Sequence, residues 1–213
     1  MSKKIPLFPL NLVAFPGERL KLHIFEPRYR QLVKDCVDNG LSFGIIPVSD
    51  KALSDIGTEM RIDKIDHAYA DGKLDIISYG MKSFDLLDFS EKLTDKLYPG
   101  GEIEYKVNFE QTDLVLQEKL FKLLKKLYSS MGMEIDLPMP GPDYKVFSNA
   151  HKIGLSVLQE IELLRLESEI ERLKFVVYHL ERILPVVIQM EEMRQKVKMN
   201  GHFKDAIPPD FKI

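Results

Sequence analysis

The feature that most limits what this chain can fold into is a change of period near Gln111. Before it, short apolar runs alternate with polar residues and are broken by turn formers, the pattern of half-buried strands. After it, apolar residues recur three and four apart over long runs, the pattern of helices with one buried stripe. A chain that reads as strands first and helices second implies an α+β fold. The expected division is a β-rich part at 1–110, a helical part at 111–201 and a C-terminal tail at 202–213, loosely held after Asn200-Gly201.

The first forty residues commit to a sheet with one helix on it. Pro6 and Pro9 cannot donate to a ladder, which points Ile5–Phe8 to an edge strand or an irregular extended segment. Leu12–Phe15 ends at Pro16-Gly17, a turn in which Pro presets φ and Gly accepts a positive value. From Arg19 to Phe25 the residues alternate, with Leu20, Leu22 and Ile24 on one face. Glu26-Pro27 opens a helix, and Tyr29, Leu32, Val33, Cys36 and Val37 follow at helical spacing until Asn39-Gly40 stops it.

Leu41–Val48 reads as a buried strand and Ser49–Asp55 as a loop. In the long strand Ile56–Ala70 the alternation slips between Ile62 and Ile65, which predicts a β-bulge. Asp71-Gly72 predicts a two-residue hairpin. Lys73–Tyr79 returns, Gly80 breaks it, and Met81–Phe89 follows as a further strand. Leu93–Tyr98 and Ile103–Phe109 complete the set around Pro99-Gly100-Gly101. Short strands at such intervals suggest a small barrel or sandwich.

In the second half, a helix is expected from Gln111 to Met131, ended by Gly132. Prolines 138, 140 and 142 exclude regular structure from Glu134 to Tyr144. Phe147–Leu166 reads as helical. Ser168-Glu169-Ile170-Glu171 matches a capping box that restarts the helix. The stripe Ile170, Leu173, Val177, Leu180, Leu184 reads as bundle core, with Pro185 kinking a long helix that continues to Asn200-Gly201. It is too short to read as a coiled-coil seam.

Composition narrows the function classes. A formal net charge of −3 over 213 residues gives no bulk electrostatic case for nucleic acid or an anionic membrane. One cysteine allows no intramolecular disulfide. No run reaches the roughly 18 apolar residues of a membrane helix, and no secretory h-region precedes Pro9, so the default address is the cytoplasm. There is no phosphate loop, no nucleophile elbow and no zinc helix. Cys36 falls on the apolar face of its helix, a core position rather than a nucleophile beside His23. His23 and Glu26 straddle a strand–helix junction and make a poor metal pair. Asp63, Asp66 and His67 read as a solvated face, as do the basic groups Arg28, Arg30, Lys34 and Arg194, Lys196, Lys198, Lys204. No catalytic residue, cofactor or metal is expected.

The run IPLFPLNLVAFPGERLKLHIFEPRYR, with Pro6–Leu10, Phe15–Gly17 and Leu22–Tyr29 as its ordered parts, resembles the opening of the Lon N-terminal domain family. Gly57-Thr58, Asp71-Gly72, Gly80 and Phe84 fall where that family has its G-T pair, its hairpin turn and its G-x-x-R-F; Lys82 and Ser83 stand in place of the arginine. The resemblance implies an N-terminal β-rich pseudo-barrel with one helix, followed by a C-terminal helical bundle with a long kinked helix. In full Lon this module precedes an ATPase and a Ser-Lys peptidase and helps select substrate chains. The present sequence resembles freestanding members without those domains. The function implied is non-catalytic binding of unfolded or exposed apolar polypeptide, with a protease acting in trans as a possible partner. Strand addition along Ile5–Phe8, or a groove between the β-rich and helical parts, would serve. Phe25, Met139 and Tyr144 are the candidate peptide contacts; Phe8 and Phe15 read better as core. The alternatives are a scaffold that docks one folded partner and an ATP-independent hydrolase.

Overall fold

The computed structural model describes residues 2–202, with side chains to Val197. Contacts divide the chain into two units, Met1–Glu110 with Lys145–Glu169, and Gln111–Tyr144 with Ile170–Ile213.

The first unit begins with β1 (Ser2–Leu10), which is not an edge strand. Its first half runs antiparallel to β7 (Gly100–Tyr105), pairing Lys4 with Glu102. Its second half runs parallel to β3 (Phe43–Ser49), pairing Phe8 with Ile45. Each half needs donors on one side only, so Pro6 and Pro9 are tolerated in a strand with two neighbours. The remaining strands are β2 (Arg19–Ile24), β4 (Ala52–Leu53), β5 (Ile56–Ala68) and β6 (Leu74–Ser90). The order β1-β7-β6-β5-β3, with β1 back against β3, closes a ring, and β2 is added to β6 outside it. This is the pseudo-barrel.

The register of β5 on β6 shifts between Ile62 and Lys64 and at two further points, so the slip in alternation is a bulge. The turn is longer than the Asp71-Gly72 pair predicts. The Tyr69 N–H donates to the Lys73 carbonyl and the Gly72 N–H to the Tyr69 carbonyl, both at 2.9 Å, with Gly72 at φ +82°. That is a three-residue loop closing on a left-handed glycine. Nor does Gly80 break the strand: β6 runs through it. Leu93–Tyr98 forms turns rather than a strand, and Gly100 and Gly101 lie inside β7.

Two apolar clusters fill this unit. Ile5, Leu7, Ile46, Phe84 and Ile103 form the inner one. The other lies under α1 (Pro27–Asn39), where Tyr29, Leu32, Val33 and Cys36 meet Phe8, Phe43, Met60 and Ile76. The Phe8 and Tyr29 rings stack at 3.8 Å. Alternate residues of β1 thus serve both clusters. Gly40, at φ +63°, closes α1 with its N–H on the Cys36 carbonyl. The expected helix over 147–166 is broken into a 3-10 helix, Val146–Lys152, and α3 (Val157–Arg165). Gly154 at φ +73° and a Ser156/Gln159 capping box separate the two. Phe147 stacks on Phe15 at 4.9 Å, and α3 lies against β3 and β5.

The second unit holds α2 (Leu114–Ser130) and most of α4 (Glu169–His202). Asp113 caps α2 by accepting from the Val115 and Leu116 N–H groups. Helix α4 continues through Pro185 and through Asn200-Gly201, which were expected to end it. Leu173, Val177, Leu180 and Leu184 are buried along it, as read, while Ile170 is half-buried. The reading of a loose tail falls on 203–213, outside the described residues. Irregular chain follows α2, and the buried Gln117 side chain pins it, accepting from the Gly141 N–H at 2.8 Å and donating to the Gly141 carbonyl at 3.0 Å.

Candidate functional site

Helix α1 buries one face on the sheet and leaves Arg30, Lys34, Val37 and Asp38 on its outer flank. Beside it the β5–β6 hairpin runs on past β3, whose pairing with β5 covers only Thr58–Met60. Ile65, beyond that pairing, is 44% exposed; Val37 is 48% exposed. Between helix and hairpin lies an open groove of about 560 Å³, lined by Pro27, Arg30, Val33, Val37, Ile65 and Leu74 among others. Its floor is apolar and its rim charged, the make-up expected of a site that binds by burial and orients by polar contacts.

The rim is held in place. Lys34 pairs with Asp38 one turn on. Arg28 donates to Glu26 at 2.8 Å. Arg30 Nη1 donates to the Asp71 carbonyl at 3.2 Å, which ties α1 to the hairpin turn. A side chain on Gly72 would place its Cβ 2.6 Å from that nitrogen, so the glycine makes the seat for Arg30.

A small aromatic group stands where β2 meets the same hairpin. The ring of His23 lies 6.2 Å from that of Phe25 and 5.6 Å from that of Tyr69, and His67 meets Tyr69 edge-on at 4.4 Å. Asp75 anchors the group: its carboxylate contacts His23 Nδ1 at 2.7 Å and accepts from the Tyr69 hydroxyl at 3.0 Å. The hydrogen bond from His23, then that from Tyr69, holds the Asp75 carboxyl below the usual range.

The expected contact residues fall in different places. Phe25 is 58% exposed, in the first unit. Met139 is 86% exposed, in the second. Tyr144, also in the second, is buried, with its ring edge-on to Phe121 at 4.8 Å. Phe8 and Phe15 are core. Cys36 is buried, and burial pushes its thiol up to about 12, far from a nucleophile at neutral pH. Among the described residues no three His, Cys, Asp or Glu side chains converge on a metal position, and no helix is long and apolar enough to cross a membrane. Sequence reasoning put Val37 and Ile65 among the apolar members of their elements and Arg30 on a solvated face. Only the projection of the hairpin past β3 brings these residues to one groove, and spacing along the chain carries no trace of it.

Comparison with known proteins gives these elements a relation. The family model described as the ATP-dependent protease La (LON) substrate-binding domain matches residues 4–182. The crystal structure of a Lon N-terminal domain protein from Xanthomonas campestris is similar at 25% identity and a TM-score of 0.62, over 83% of this chain and 98% of that one. The N-terminal domain of the Mycobacterium avium complex Lon protease shares the fold, with 15% identity and a TM-score of 0.67 over 84% of this chain and 98% of that one.

Proposed function

This chain belongs to the ATP-dependent protease La (LON) substrate-binding domain family, and from that premise we propose that it binds unfolded or exposed apolar polypeptide without chemistry of its own, delivering clients to a protease in trans. The observation that carries the reading is the groove between α1 and the β5–β6 hairpin: apolar on its floor, charged at its rim and open to solvent. It is built on a helix and a paired hairpin, which hold a binding surface more exactly in place than loops do. Strand addition along Ile5–Phe8 is not the means, because β1 has a partner on each side. Met139 is a further candidate contact in the second unit; Tyr144, being buried, would act by supporting its loop.

The test is titration of the protein into a fluorescent, permanently unfolded model protein, read by polarisation. Saturable binding at tens of micromolar or below is expected. Ile65→Asp, which puts a charge on the groove floor, should weaken it about tenfold, since burying an unpaired charge costs more than the lost contact. A flat titration overturns the reading.

The scaffold reading has one observation of its own. Along α4, Val186, Met190, Met193 and Val197 recur four, three and four apart and are 54–70% exposed. A helix face of that kind fits a groove or a second helix on one folded partner. A crosslinking pull-down with the same material separates the two: one stoichiometric protein under the scaffold reading, many weakly held clients under the first.

A further inference from the structure

We propose that the groove between α1 and the hairpin selects extended client segments in which an acidic side chain stands two residues from an apolar one, with Arg30 taking the carboxylate. This rests on the polypeptide-binding reading and names the client chemistry for the same groove.

Three observations carry it. First, the neighbouring cations are matched with carboxylates: Lys34, in the groove lining, with Asp38, and Arg28 and Lys73, next in sequence to lining residues, with Glu26 at 2.8 Å and Asp71 at 2.7 Å. Arg30 has none among the described residues; its hydrogen bond goes to a backbone carbonyl and uses one nitrogen of a guanidinium with five N–H donors. Second, Arg30 is held rather than free to sweep. The Asp71 carbonyl fixes one end of the guanidinium, and the bare Gly72 leaves the space it occupies. A guanidinium fixed in this way offers its remaining N–H groups to a carboxylate with little further loss of freedom. Third, it lies against the apolar floor, with Val33 and Val37 on the same flank of α1. A carboxylate bound there is partly shielded from water, which strengthens the contact.

Spacing sets the pattern. Along the helix axis Arg30 lies about 5 Å from Val33 and about 10 Å from Val37, and two residues of extended chain cover about 7 Å, a length between the two. In extended chain, residues two apart point the same way. An acidic residue and an apolar residue at that interval therefore reach Arg30 and the Val33–Val37 floor together. The occupant is an internal segment of a client, read through a side-chain carboxylate.

The test uses the full chain and three fluorescein-labelled, Gly/Ser-rich peptides. One contains Leu-Ser-Glu-Ser-Leu with its C-terminus amidated. The second is its Gln counterpart, also amidated. The third carries Gln with a free terminal carboxylate. The Glu peptide is expected to bind about fivefold to tenfold more tightly than the amidated Gln peptide, as a charge-assisted hydrogen bond gives, and the gap should narrow in 0.5 M NaCl as screening shortens to a few ångströms. Arg30→Gln should bring the Glu peptide down to the Gln level and leave the Gln peptide within twofold, with unchanged circular dichroism. Equal binding of the Glu and Gln peptides, both weakened by Ile65→Asp, overturns the carboxylate assignment and leaves the polypeptide-binding reading in place. A gap that survives Arg30→Gln, or one shown only by the free-terminus peptide, also overturns it. Failure of every peptide to bind removes the groove together with the proposal.

Discussion

Gly80 occupies a place where no side chain fits. It lies in the middle of β6, paired with Met60 on one side, while on the other the turn after Phe15 runs past it. The Gly17 N–H donates to the Gly80 carbonyl and the Gly80 N–H to the Glu18 carbonyl, both at 2.9 Å. A Cβ there would stand 2.1 Å from the Phe15 carbonyl oxygen, and backbone on both sides leaves it nowhere to move. Gly80→Ala should lower stability by at least about 2 kcal/mol, measured by urea unfolding; a change under about half of that would mean the turn can shift. The sequence reads this glycine as a break because a residue without a side chain gives alternation no phase. What passes opposite a bare Cα is a tertiary fact. Arg30 is similar: the Asp71-Gly72 turn signal is visible, but not the guanidinium it seats.

At the scale of elements, most of the first unit is legible. The alternation of Leu20, Leu22 and Ile24 gives β2, and the Tyr29, Leu32, Val33, Cys36 spacing gives α1, since each pattern follows from a single buried face. Elements buried on two faces, or held by partners far along the chain, escape. Strand β1 is one case. The 3-10 helix and α3 are another, and their attachment suggests a measurement. His151 lies between Glu160, 2.7 Å from its Nδ1, and Glu18, 3.2 Å from its Nε2, joining the 3-10 helix to α3 and to the turn before β2. The hydrogen bond to Glu160, then that to Glu18, raises its pKa from the ordinary 6.5 to about 10. A raised folded-state pKa means that the clasp contributes fully below about pH 6.5 and is lost as pH rises through 10. The urea midpoint should therefore fall from pH 6.5 towards pH 10, and His151→Gln should flatten that slope. An unchanged slope in the variant would show that the clasp does not hold these elements together.

For the molecule as a whole, the change of period near Gln111 announces strands and then helices; among the described residues all seven strands precede Gln111 and three of the four α-helices follow it, α1 lying between β2 and β3. The return of residues 145–169 to the first unit is not legible, because helical spacing says that a segment has an apolar face but not against which layer the face lies. Those residues supply Phe147 over Phe15, the His151 clasp, Arg165 on Asp55, and α3 against β3 and β5. A fragment of residues 1–110 should accordingly show no sharp thermal transition by near-ultraviolet circular dichroism and should bind a hydrophobic dye. A cooperative melt at the midpoint of the intact chain would show that the returning segment is dispensable.

The ring of strands also governs when the fold can form. Residues 2–10 leave the ribosome well ahead of Gly100–Tyr105, their antiparallel partners. Pairings so distant in sequence form slowly. Until those partners emerge, Ile5 and its neighbours are thus an apolar flag on a nascent chain, and a protein that we propose grips such segments in others must first be shielded from the same recognition itself.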